Sequence, residues 1–141
     1  MNKLYALIAI LFIGTSSLQA QIDIADARTM SLGSTVTVSG IVTNGAELSI
    51  IRYMQDATGA IAVYPGNGSV GNFPNDVKRG DEIQVTGQLK EFNGLLEIDP
   101  VSAYTVISSN NPSPTPLVGT PNDINESNEA KLMTINNVTF S

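Results

Sequence analysis

Cysteine, histidine and tryptophan are all missing from this 141-residue chain. Without cysteine there is no disulfide framework and no attachment point for a lipid. Without histidine the commonest general base is gone, and with it the Ser-His and Cys-His nucleophile pairs and histidine-based zinc sites. Positive charge is scarce as well, with 7 Lys and Arg against 13 Asp and Glu and a net charge of −6. A net-acidic domain is repelled by phosphate backbones unless its few cations gather on one face. These absences argue against an enzyme and against a metal site within the chain, and no cofactor is implied.

Long apolar runs are lacking too, apart from residues 4–13. That run follows Lys3 and precedes the small polar stretch Gly14-Thr15-Ser16-Ser17, ending at Ala20. A basic start, a short apolar centre and a small-residue end make a secretory signal peptide, too short to span a bilayer. Residues 1–20 are read as that leader, cut after Ala20, which makes the mature protein secreted, periplasmic or surface-exposed and free of the membrane. Loss of Lys3 leaves six basic and thirteen acidic residues, a net charge of −7.

What is present is mostly strand. Ile24, Ala27 and Met30 stand at helical spacing behind Asp23, a potential N-cap, and predict a short N-terminal helix. From residue 35 the period changes to two, with Val36, Val38 and Val42 on one face and Thr35, Thr37 and Ser39 on the other. Strands are also predicted in LSIIRYMQD, AIAVY, DEIQVTGQLKEF, LLEID and SAYTVISS, and Asn93-Gly94 marks a hairpin. Val36-x-Val38-x-Gly40-x-Val42 and Ile83-x-Val85-x-Gly87-x-Leu89 are the same pattern, each broken by one glycine. A mid-strand glycine marks a bend that lets one strand serve two sheets and close a barrel. Residues 65–80, rich in Gly and Pro, read as a loop with one helical turn at most.

Residues 110–128 read as a Pro-rich linker or strap. In 129–141 the strand pattern resumes, with Met133, Ile135 and Asn137 spaced like Val36, Val38 and Gly40. This is either a final edge strand or the truncated start of a second β module, and truncation is the favoured expectation.

GSTVTVSGIVTN, YMQDATGAIAVY and VKRGDEIQVTGQLKEFNGLLEI resemble the OB-fold module of secreted bacterial sugar-non-specific nucleases, a module found also in other large exported bacterial proteins. The resemblance covers residues 22–109. It implies an all-β, five-stranded Greek-key OB-fold barrel whose binding surface is the face of strands two and three with the adjoining loops. Carried onto this chain, that surface runs through Arg52, Tyr53, Gln55 and Tyr64, with loops at 44–47 and 90–93 that include Lys90, Phe92 and Asn93. The resemblance also implies that nuclease chemistry belongs to a separate domain.

Several motifs invite other readings. Asp56-Ala57-Thr58-Gly59 departs from an aspartic-protease D-[ST]-G loop by an inserted Ala and has no second copy. Asp and Gly at its ends are what a strand-to-strand turn needs. Arg79-Gly80-Asp81 spells an adhesion tripeptide but sits where a turn enters a strand. Asp123, Asn125, Ser127 and Glu129 begin like a calcium loop yet lack its sixth-position Gly and terminal Glu. Glu97 and Asp99 can share a strand face, without an evident acidic partner from elsewhere.

The remaining candidate is aromatic and basic: Arg52, Tyr53, Tyr64, Lys90 and Phe92. Aromatics on an OB face stack on bases while a few cations track the strand; alternatively, the tyrosines are barrel-wall residues with hydroxyls at the rim. The expectation is a monomeric, non-catalytic module that binds single-stranded nucleic acid weakly and presents it to nuclease or phosphodiesterase domains of its parent protein. The alternative is a structural or interaction spacer of a cell-surface protein, facing glycan or a neighbouring domain.

Overall fold

A computed structural model describes residues 20–66 and 70–139. The signal-peptide reading lies outside the described residues. Five strands close into an OB-like barrel: β1 (Thr35–Val42), β2 (Arg52–Gln55), β3 (Ala60–Val63), β4 (Glu82–Phe92) and β5 (Leu95–Ser108), in the order β1-β2-β3-β5-β4. All neighbours are antiparallel except β3 and β5, which run parallel with Ala62 opposite Glu97. Alternation accounts for the core: Val36, Val38 and Val42 of β1, Ile83, Val85 and Leu89 of β4, and Met54, Ile61, Val63 and Ile98 are all buried inside.

The two mid-strand glycines sit where the barrel turns. At Gly40, β1 passes from its pairing with β4 to its pairing with β2, and a Cβ there would lie 2.8 Å from the Gln55 carbonyl oxygen. At Gly87 the β4–β5 register shifts, and a Cβ would lie 2.5 Å from Ile98 Cγ2 and 2.6 Å from the Pro100 carbonyl oxygen. Neither position has room for a side chain, which is the physical content of the repeated pattern.

Three expectations need correction. The predicted strand over LSIIRYMQD begins only at Arg52, because residues 46–48 form a 3-10 turn. There Asn44 donates to the Gly45 and Ile51 carbonyls and accepts from the Tyr53 amide, while Glu47 accepts from the Gly45 amide, so local polar bonds displace the ladder. LLEID and SAYTVISS are one strand: β5 runs through Pro100, and the register shift at Gly87 accommodates the residue that cannot donate. The 65–80 loop holds its one helical turn as expected, α2 (Phe73–Asp76), whose Phe73 is fully buried and meets Tyr104 edge-on at 5.1 Å between ring centroids. Phe73 and Val77 thereby join the hydrophobic core of the barrel. Finally, the helix α1 (Ile24–Ala27) stops before Met30, which is exposed.

The cap of α1 is also not the expected one. Asp23 occupies the N-cap position without a side-chain bond. Instead the β2–β3 turn supplies the cap, with the Ile24 amide donating to Asp56 Oδ2 at 2.9 Å and the Ala25 amide to Thr58 Oγ1 at 3.1 Å. Asp56 Oδ1 meanwhile accepts from the Thr58 and Gly59 amides, each at 2.7 Å. Asp56-Ala57-Thr58-Gly59 is a corner that serves as a cap for a segment 32 residues away.

Beyond the barrel, β6 (Leu117–Gly119) and β7 (Met133–Ile135) pair in parallel as a separate two-stranded sheet. The intervening chain is tied down. Arg28 reaches Glu129 at 3.0 Å and Glu126 at 3.4 Å, Glu129 accepts from the Leu96 amide, and Gln55 Oε1 accepts from the Leu132 amide. Asp123 and Asn125 cap 3-10 turns of this strap, so the residues spaced like a calcium loop are used in its own backbone. In the adhesion-like tripeptide, Asp81 is buried and accepts from the Lys78 amide.

Candidate binding cleft

Alternation along β2 sends Arg52 and Met54 inward and Tyr53 and Gln55 outward, a burial pattern seen directly in the strand. Tyr53 pairs with Ala62 on β3, Ala62 with Glu97 on β5, and Glu97 with Lys90 on β4. One outer face of the sheet therefore carries Tyr53, Glu97 and Lys90 in a row. Tyr64 follows β3, with its amide on the Ile98 carbonyl. Phe92 and Asn93 lie at the tip of the β4–β5 hairpin, where Asn93 and Gly94 both take positive φ as an Asn-Gly turn requires.

Between that hairpin and the 45–51 loop opens a cleft of about 720 Å³, within the range of small-ligand sites. Leu48, Ile50 and Ile51 form one wall, Phe92 and Leu95 the other, and Tyr64, Lys90, Glu97 and Asp99 bring the polar groups. Phe92 is 57 % exposed, a large ring with nothing covering its outer side. A second, smaller groove of about 290 Å³ runs past Asp23, Ser39, Asp56 and Glu82. Its central carboxylate, Asp56, is already engaged as a cap, so the larger cleft is the stronger candidate.

Arg52 is corrected here. It was expected to reach phosphate from the surface, yet it is buried. Its guanidinium donates to the carbonyl oxygens of Val77 at 3.0 Å, Pro74 at 2.6 Å, Ser49 at 2.8 Å, Ile51 at 2.9 Å and Gly45 at 3.2 Å. Arg52 thus stitches the cleft's 45–51 wall to the end of α2, and no ligand can reach its charge. Alternation in the sequence shows that Arg52 and Tyr53 cannot share a face, and the fold decides that Arg52 is the one turned inward.

The other expected residues divide into two groups. Tyr64, Lys90 and Phe92 line the cleft, with Asn93 beside it. Tyr53 and Gln55 share the outer face but are half-buried near the strap, where Gln55 holds the Leu132 amide. Burial, then the charges of Glu129 and Glu97, pushes the Tyr53 hydroxyl above its ordinary value. Lys90 is ion-paired with Asp99, and that hydrogen bond holds its ammonium above the usual lysine value. Glu97 and Asp99 are buried on the same face of β5 and turn to the cleft together, a pairing the spacing allowed but to which no role was assigned. Burial first, and Asp99 second, raises the Glu97 carboxyl above the ordinary range, against the opposing pull of Lys90.

No known protein-family model matches the chain. Over 117 residues it is 35 % identical to Endonuclease YhcR of Bacillus subtilis (strain 168), a stretch covering 78 % of this chain and 9 % of that protein. The chain thus spans less than a tenth of the relative it matches and corresponds to a part of a large endonuclease. Among solved structures, the E. coli protein ygiW is 17 % identical with a TM-score of 0.46, covering 63 % of this chain and 89 % of that one. The asparaginyl-tRNA synthetase of Entamoeba histolytica, bound to asparaginyl-adenylate, is 18 % identical with a TM-score of 0.49, covering 69 % and 24 %.

Proposed function

We propose that this chain is a non-catalytic binding module of an exported nuclease- or phosphodiesterase-type protein and that its cleft holds single-stranded nucleic acid weakly. The observation that carries the reading is the cleft itself: apolar walls, an exposed Phe92 and a neighbouring Tyr64, at the loops and strand face that an OB barrel ordinarily offers to a strand. The similarity to a segment of a large endonuclease supports it. Stacking on Phe92 and Tyr64 supplies the affinity, since every base has a π-face. Phosphate attraction supplies little, because Lys90 is the only cation among the described lining residues and Asp99 already holds it.

The test is fluorescence anisotropy of residues 21–141 with a labelled single-stranded oligonucleotide at low and moderate salt. One phosphate contact at most predicts a logarithmic salt slope of about −0.7 or shallower. Phe92→Ala with Tyr64→Ala weakens binding about tenfold or more if stacking carries it. Unchanged affinity in that double variant defeats the proposal. Absence of binding even at low salt favours instead a glycan- or protein-facing spacer, for which a cleft with more carboxylates than ammonium groups is also suited.

A further inference from the structure

Glu97 stands out among the described residues that line the cleft. Glu97 is 4 % exposed and lines the cleft, yet among the described residues its carboxylate accepts no hydrogen bond. Its companion Asp99 takes the Lys90 ammonium. Lys90 lies opposite Glu97 across the β4–β5 ladder, Tyr53 lies across β3, and neither donates to it. The Glu97 oxygens are not among the fully enclosed unpaired atoms and so face the cleft. A ligand that covers them without bringing donors incurs the cost of desolvating a carboxylate, and one that brings donors does not. An ionised carboxylate can only accept, so the edge presented to Glu97 must donate.

Resting on the nucleic-acid reading above, we infer that Glu97 biases the cleft by base chemistry. A base stacked at Phe92 and Tyr64 turns an edge toward Glu97, which accepts from an exocyclic amino group. Cytosine offers its N4 amino group at the position where thymine offers the O4 carbonyl. Thymine and uracil would therefore set acceptor against acceptor and bind less well, while adenine and guanine, which also carry amino groups, are admitted. The outcome is a compositional preference for amino-bearing bases rather than readout of a sequence.

Cytosine and thymine stack through rings of the same size, so they isolate the edge. Oligo-deoxycytidine and oligo-deoxythymidine of about a dozen nucleotides, titrated at about pH 8, well above the ordinary carboxylate range, form the comparison. The cytidine oligomer is expected to bind about fivefold tighter or more. Glu97→Gln brings the ratio toward one, because its amide can also donate to O4. Glu97→Asp retains the charge but withdraws the oxygens by one methylene; it is the second variant and also lowers the ratio. Equal binding of the two oligomers by the unaltered protein, or a ratio that survives both variants, overturns the inference and leaves the nucleic-acid reading intact. Binding of neither oligomer overturns both.

Discussion

Asp56 accepts hydrogen bonds from three backbone amides and a hydroxyl, and through the Ile24 amide it ties α1 to the β2–β3 corner. Burial raises its carboxyl, but the bonds from Ile24, Thr58 and Gly59 outweigh it and hold the group below its usual 3.8. A depressed native value means stability that is present above the unfolded pKa and lost as pH falls through the folded one. Asp56→Ala is expected to cost about 2 kcal/mol in urea denaturation at neutral pH. The same substitution should remove part of the loss seen below the ordinary carboxylate range. Glu97 has the opposite sign. Its raised value means that stability falls as pH rises from the unfolded 4.5 through the native value. Glu97→Gln is therefore expected to raise the denaturation midpoint at neutral pH, read in the same assay, while weakening the base preference proposed above. Arg52→Ala would leave five carbonyls without their shared donor, a loss of about 3 kcal/mol in the same measurement.

At the scale of elements, the barrel depends on strands that bend at defined places. Gly40 and Gly87 give β1 and β4 their turning points, and backbone or packed side-chain atoms occupy the space where a Cβ would stand. Gly87→Ala is expected to destabilise by about 2 kcal/mol or more without changing the urea m-value, because it strains the native core and leaves the exposed surface of unfolding the same. The repeated V-x-V-x-G spacing makes these bends legible in the sequence itself. Around Met133, where the spacing resumes, three residues do form a strand, and it pairs in parallel with Leu117–Gly119 in a sheet of their own. Alternating apolar residues specify a strand with one buried face, and they are silent about which other strand covers it.

Across the whole molecule, the 117–135 strap and the barrel share one face. Arg28 draws Glu126 and Glu129 toward the sheet, and Glu129 and Leu132 bond to Leu96 and Gln55. The sheet face is thereby divided, with the Tyr53–Gln55 half near the strap and the Tyr64–Phe92 half open as the cleft. Arg28→Ala should speed amide exchange at Leu96 and Leu132, while its effect on global stability stays within about 1 kcal/mol because the ion pairs are partly exposed. Amides of the β1–β4 ladder, serving as the internal control, should keep their protection.

Strand alternation, the Asn-Gly hairpin, the Asp-Ala-Thr-Gly corner and the glycine bends were all readable from residues 20–109, because each is enforced within a few residues by sterics and local hydrogen bonds. So was the exclusion of histidine and cysteine chemistry, which needs no fold at all. Tertiary structure alone decided which polar groups face the cleft. It turned Arg52 into a carbonyl-bound core residue, recruited Asp56 as the cap of α1, locked Lys90 onto Asp99 and left Glu97 facing the cleft. The reason is physical: the fate of a charge depends on the donors and acceptors that distant strands bring within 3 Å or so, and spacing along one strand cannot report on them.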